Sequence, residues 1–329
     1  PSHYFALNML VAGGVQPSEV QFVFTQTAFE AAAAFNSDPS LSAAVSWAPD
    51  IYNLEKVQGN RLLVTTATAN KLIADVWFAR ADFAQDHPGI VEGLVRGIFG
   101  AMVELKDDAA RQKAARLMGD GYGMPAAEAA SMFQDAHSTN WAENYQFFLN
   151  QNNPTNFERI WNQAYYLYRR IGLVDHRKVP FDQVMDFSIV KKLGEEEQFA
   201  SQKDEYAVQF TPKATSEIRA EEEILTNTVV IHFYPNSWDL YEKTKVMEGG
   251  EEVERLYDPN VDLVLEEIAK LAGQFGTARI IIEGHTDSSM QGKVPESLVL
   301  ELSDRRANAV KEALIRKFDS LDPNQFNVE

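Results

Sequence analysis

The residues best placed to do chemistry lie near the end of the chain. An apolar run, Ile280 to Ile282, leads into Glu283-Gly284-His285-Thr286-Asp287, and fifteen positions later comes Leu302-Ser303-Asp304-Arg305-Arg306-Ala307. A buried strand of this kind delivers Gly284 to Asp287 to the loop at its C-terminal end. Ser303 is expected to cap the following helix, with Arg306 in its first turn. An aspartate and an arginine converging on one pocket can hold a zwitterion, Asp287 taking the ammonium and Arg306 the carboxylate through a two-pronged contact. The same pair can equally do no more than tie loop to helix, and spacing does not separate the two readings.

Other chemistries find few residues. The chain has no cysteine, which excludes a disulfide framework, thiolate catalysis and thiolate-bound metal. His3, His87, His137, His176, His232 and His285 are scattered without the spacing of a metal site. Gly119, Gly121 and Gly123 follow a helical pattern rather than a strand, which argues against a dinucleotide loop. No nucleophile elbow, phosphate loop or H-E-x-x-H motif occurs, so neither an enzyme nor a cofactor is expected. A formal charge of −18 repels phosphate backbones and speaks against a nucleic-acid partner. No apolar run reaches the roughly 18 residues of a membrane helix, and no signal peptide opens the chain.

The elements that must position these residues read as α/β. Tyr4, Leu7, Leu10 and Val11 share a helical face that stops at Gly13-Gly14. Val20–Thr25, Leu41–Trp47, Leu62–Thr66 and Val76–Arg80 read as strands, with a helix at about 27–35. From Ile90 to Val103 the apolar residues repeat at helical spacing, as on a core-facing helix. Helical pattern then continues from about 109 to 170, broken at Gly119–Pro125 and at Asn152-Asn153-Pro154. This part, 1–193, is expected to be three-layered and helix-rich.

Between 194 and 227 two acidic runs, Glu195-Glu196-Glu197 and Glu221-Glu222-Glu223, bracket a polar stretch with one strand candidate, Tyr206–Phe210. Such runs predict a solvated linker and a domain boundary. From 228 to 329 the order is a strand (Val229–Phe233), a Pro-Asn-Ser turn at 235–237, a Gly-Gly pair at 249–250 inside an acidic insertion, a helix through Val261, Leu265, Ile268 and Leu271, a strand (Ala278–Ile282), and a last helix through Ala307, Val310 and Leu314. That predicts a small α/β sandwich.

This second part resembles the OmpA-type peptidoglycan-binding domain. The resemblance rests on IIIEGHTD followed by LSDRRANAVKEAL, with IHFYPNSWDL similar to that family's first strand and turn. It implies that Asp287 and Arg306 hold the diaminopimelate of the cell-wall stem peptide, with Asn236 of the first turn and Ser303 near them. Two departures stand out: Asp287 and Arg306 are 19 positions apart, which implies a lengthened loop, and Val299 stands where the family has Asn. The family's closing strand is expected to lie beyond Glu329.

The first part resembles periplasmic solute-binding proteins of the nitrate, sulfonate and thiamine-precursor group. PSHYFALNMLVAGGVQPSEVQFV, AAVSWAPDIYNL and DVWFARADFAQDHPGIVEGLVRGIF carry the likeness, and VPFDQVMDFSIVKKL is similar to the end of that fold. The resemblance implies a solute cleft near Ser2, His3 and Trp47, although on the bare residues Ser2 as a helix cap and Trp47 as core is the preferred reading. It begins midway through the fold, so most of one lobe, and an export signal, are expected upstream of Pro1. The implied function is a non-enzymatic periplasmic protein that fixes a solute-binding-like module to peptidoglycan, with an ABC transporter or other envelope proteins as partners. The alternative is a scaffold of an envelope complex without a small-molecule ligand.

Overall fold

The computed structural model describes residues 1–134, 136–221, 223–286 and 292–329. The chain is a helix-rich α/β protein with two small sheets.

It opens with α1 (Ser2–Ala12), which ends at Gly13 as its glycine pair predicts, and α2 (Ala28–Ser37), capped by the Thr27 hydroxyl accepting from the Glu30 N–H. Short helices α3 (Asp50–Glu55) and α4 (Ala81–Asp86) precede α5 (Pro88–Glu104), which starts with proline at its first position. Next come α6 (Asp108–Tyr122), α7 (Ala126–Ser131), α8 (Trp141–Phe148) and α9 (Phe157–Arg170). The break after α6 falls at Gly123, whose φ of +69° is the left-handed cap that glycine adopts without strain. Asn140 and Asn156 cap α8 and α9 by accepting from the N–H groups of Glu143 and Arg159.

Val20–Thr25, Leu41–Trp47, Leu62–Thr66 and Val76–Arg80 depart from expectation. They run without helix, but none enters a β-ladder among the described residues, and neither do Tyr206–Phe210 and Val229–Phe233. Alternation and branched side chains favour an extended backbone, whereas a ladder also needs a neighbouring strand in register. Large apolar side chains on these stretches are consequently exposed, Trp77 at 77% and Phe78 at 93%. The stripe on α5 is likewise only partly covered: Phe99 is buried against Leu193 and Phe199, while Ile90, Leu94 and Val103 face solvent.

Helix α10 (Ser188–Leu193) leads into the acidic stretch, and α11 (Glu197–Ala200) and α12 (Thr215–Arg219) lie within it; most residues of the stretch are exposed. Phe199 and Ile218 are buried there. Arg96 grips Glu196 with both terminal nitrogens (2.6 and 2.7 Å) and holds that carboxyl down to about 2. Asn140 donates to the Lys203 carbonyl at 2.8 Å, and the Phe210 N–H donates to Asp322 at 3.0 Å. The stretch therefore bonds to both flanking parts of the chain.

In the last hundred residues β1 (Lys243–Glu248) and β2 (Glu251–Leu256) form an antiparallel hairpin closed by Gly249-Gly250. Both glycines have positive φ, +60° and +93°, which a two-residue hairpin loop requires. Next come α13 (Val261–Gln274), β3 (Ile280–Ile282), α14 (Glu296–Lys317) and β4 (Phe326–Val328). Strands β3 and β4 pair in parallel, Ile280 opposite Phe326. A short strand thus follows the helix that the sequence reading takes as the final element.

Val261, Leu265, Ala269 and Ala272 of α13 meet Val310 and Leu314 of α14, with Phe318, Leu321 and Phe326 completing the core. A second cluster joins distant parts of the chain: Tyr4, Ala69 and Leu72 pack with Phe275, Leu271 and Ile160. Thr277 Oγ1 donates to the Ala67 carbonyl at 3.1 Å beside it, and Arg159 of α9 is ion-paired with Glu266 of α13.

Candidate functional site

The turn at 234–237 is built from its residues. Pro235 fixes φ at the first central position, and Asn236 takes φ = +60° at the second, where a short polar side chain tolerates the left-handed region. The Ser237 N–H closes the turn on the Tyr234 carbonyl at 2.9 Å. Ser237 Oγ donates to Glu242 at 3.1 Å and accepts from the Asp239 N–H at 3.1 Å.

Two successive arginines of α14 straddle this turn. Arg306 Nε donates to the Ser237 carbonyl at 3.0 Å, and its guanidinium carbon lies 4.8 Å from the Phe233 ring centroid. Arg305 sits 4.4 Å from the Trp238 ring centroid and donates to Glu301 at 2.5 Å. Asn236 is exposed at the apex, and Arg306 is half-buried beneath it. The structure thus brings together Asn236 and Arg306, which are 70 positions apart in the sequence.

Ser303 and Arg306 occupy other helix positions than expected. The helix begins at Glu296, after Pro295, so Ser303 lies two turns in rather than at the cap, and Arg306 is in the middle of α14. Ser303 Oγ donates to the Leu300 carbonyl at 2.8 Å, and its backbone N–H belongs to the helix rather than to a ligand. Proline set the start of the helix here: it is tolerated at an N-terminus, and Glu296 to Leu302 continue from it without a breaker. Ser303 is buried because Gly284 lies directly on it; a Cβ on Gly284 would come within 2.8 Å of the Ser303 carbonyl carbon. The Gly284 N–H donates to the Glu329 carbonyl at 2.9 Å, extending the β3–β4 ladder to the start of the loop. His285 is exposed, and Asp287 lies outside the described residues.

The second predicted group is also assembled. Trp47 Nε1 donates to Ser2 Oγ at 3.0 Å, so Ser2 serves a tryptophan and Trp47, half exposed, is not core. The His3 ring stands edge-on to Phe22, Phe24 and Tyr168, with centroids 5.1, 5.0 and 5.5 Å away. Burial holds its pKa below the ordinary imidazole value, and its Nε2 is buried without a hydrogen-bond partner. The three rings thus enclose the imidazole.

A further buried polar cluster escaped the sequence reading. Glu143, on α8, accepts from the Asn140 N–H (2.7 Å) and the Glu205 N–H (2.9 Å) and shares a proton contact with His137 Nε2 (2.8 Å). The His137 ring stacks on Tyr206 at 4.2 Å. The legible signal was Asn140 followed three residues later by Glu143, a capping box. Among the described residues, no cluster of three or more histidines and carboxylates is placed to hold a metal ion. No described helix is long and apolar enough to cross a membrane. No family model, curated protein or solved structure matches the chain.

Proposed function

We propose that the chain is a non-enzymatic protein of the bacterial envelope that fixes a solute-binding-like module to peptidoglycan, residues 228–329 acting as an OmpA-like domain. The observation that carries this reading is the placement of Arg306 against the turn that bears Asn236. A planar guanidinium held by Ser237 and Phe233 is oriented before a ligand arrives, the condition for two-pronged recognition of a carboxylate. Asp287, from the loop after β3, supplies the partner for the ammonium of diaminopimelate. This reading places the protein in the periplasm, with residues 1–193 as a partial solute-binding fold serving an ABC transporter.

A scaffold without a small-molecule ligand is the second reading, and one observation favours it. Ser2 is already bonded to Trp47, and His3 is enclosed by three aromatic rings, so the residues of the supposed cleft engage one another. Co-sedimentation with purified diaminopimelate-type peptidoglycan tests the shared wall-binding claim. Wild-type protein is expected to pellet and Asp287→Asn to remain in solution; equal pelleting of the two would remove Asp287 from the site.

A further inference from the structure

Helix α9 carries a polar stripe, Glu158, Asn162, Tyr165 and Arg169, at helical spacing. The chain returns across it at 176–180 and is pinned there by three bonds. Tyr165 Oη donates to the His176 carbonyl (3.0 Å), Trp161 Nε1 to the Val179 carbonyl (3.2 Å), and Lys178 Nζ to Asn162 Oδ1 (2.7 Å). Between helix and returning segment lies an open groove of about 670 Å³.

Its electrostatics run against the rest of the molecule. In a chain of net charge −18, residues 169–178 hold Arg169, Arg170, Arg177 and Lys178 against the single acid Asp175. Some cations elsewhere are paired with carboxylates, among them Arg96 with Glu196, Arg255 with Glu248 and Arg305 with Glu301. Those in the groove are not. Arg169 donates to the Tyr165 phenol at 2.6 Å, Lys178 to an amide, and Arg177 has no side-chain partner among the described residues. Neutral acceptors orient a cation without cancelling its charge, which leaves it to attract an anion. Phe181 and Phe187, with ring centroids 5.9 Å apart, and Tyr166 add apolar surface beside the charges.

We propose that this groove binds a small organic anion, an apolar or aromatic body ending in a carboxylate or phosphate, with Arg169, Arg177 and Lys178 receiving the charged end. The volume falls in the range of about 300–1,000 Å³ usual for small-molecule sites. Glu158 and Asp182 also line the groove and repel a long polyanion, which restricts the ligand to one or two negative groups. The site is separate in residues and in chemistry from the wall site, and neither stands or falls with the other.

The test is calorimetry of the full chain with phenyl phosphate and phenylacetate, set beside neutral benzyl alcohol and inorganic phosphate. At least one of the two organic anions is expected to bind, and to bind more tightly than benzyl alcohol and inorganic phosphate. Arg177→Ala is expected to weaken that binding at least tenfold while leaving the circular dichroism spectrum unchanged, because the Arg177 side chain has no bonding partner among the described residues. Lys178→Met should weaken it as well. Binding of neither anion, binding unaffected by Arg177→Ala, or benzyl alcohol binding equally well would overturn the proposal. Inorganic phosphate binding as tightly as phenyl phosphate would overturn the role given to the apolar wall.

Discussion

Gly284 lies against the backbone of Ser303 so closely that a Cβ there would meet the Ser303 carbonyl carbon at 2.8 Å and the Ala307 Cβ at 3.2 Å. This contact sets how near the end of β3 comes to the middle of α14. Gly284→Ala is expected to destabilise the fold by about 1–3 kcal/mol, as overpacking against rigid backbone does. Gly121→Ala, in a helix with open space at the Cβ position, should instead be neutral or stabilising by up to about 1 kcal/mol. Urea denaturation of both variants checks the pair; a neutral Gly284→Ala would mean that the strand end and the helix are not in contact.

Asn236 reads the turn. Its φ of +60° suits glycine and asparagine and penalises a β-branched side chain. Asn236→Gly is expected to leave thermal stability nearly unchanged, while Asn236→Val should cost about 1–3 kcal/mol of local strain. Because Arg306 donates to the next residue's carbonyl, the valine variant should also weaken peptidoglycan binding. Differential scanning calorimetry of the two variants separates these outcomes.

The Glu143 cluster gives a pH dependence. Burial disfavours the Glu143 carboxylate, but the contact with His137 and the N–H bonds from Asn140 and Glu205 outweigh it and hold the pKa below the ordinary value. A folded-state pKa lowered in this way contributes stability above the unfolded value of about 4.3, and loses it as pH falls through the folded value. Glu143→Gln is expected to be less stable than wild type by about 1–3 kcal/mol at pH 7, with two curves that converge below about pH 4. Chemical denaturation across pH 3 to 8 provides the measurement; a gap that widened toward acid would contradict the sign.

How much of this was legible in the sequence depends on whether one segment or two decide a feature. Helix ends at Gly13 and Gly123 are local, and the glycines mark them. The Gly249-Gly250 pair is visible as a loop residue pair, but the hairpin it closes was missed because Lys243–Glu248 and Glu251–Leu256 are charged and alternate weakly. Val76–Arg80 has strand composition yet no strand beside it, since pairing is a property of two segments. Ser303 looked like a cap because it precedes an Asp-Arg-Arg run; Pro295, further upstream, holds the actual start. Within the acidic stretch, composition does not reveal that Glu196 and Glu221 pair with Arg96 and Lys213. Arg306 was chosen from residue type and spacing and Asn236 through the family resemblance, and Arg306 bonds to the residue after Asn236 in the same turn.

If the proposed wall site is correct, the planarity of Arg306 governs its binding. Arg306→Lys keeps the charge but loses the Nε–H bond to Ser237 and the flat face on Phe233. Binding to peptidoglycan should fall for Arg306→Lys nearly as far as for Arg306→Ala, about ten- to a hundredfold, which corresponds to a charge-assisted contact of about 1.5–3 kcal/mol. Full rescue by lysine in a sedimentation assay would reduce Arg306 to a point charge.

The most direct test of wall recognition compares two soluble stem peptides by isothermal titration calorimetry on the full chain, one with diaminopimelate at its third position and one with lysine. The two residues differ by the carboxylate that the proposal assigns to Arg306. The account predicts that the diaminopimelate peptide binds at least tenfold more tightly and that Arg306→Ala abolishes this preference. Equal affinity for the two peptides, or a preference that survives Arg306→Ala, would contradict it.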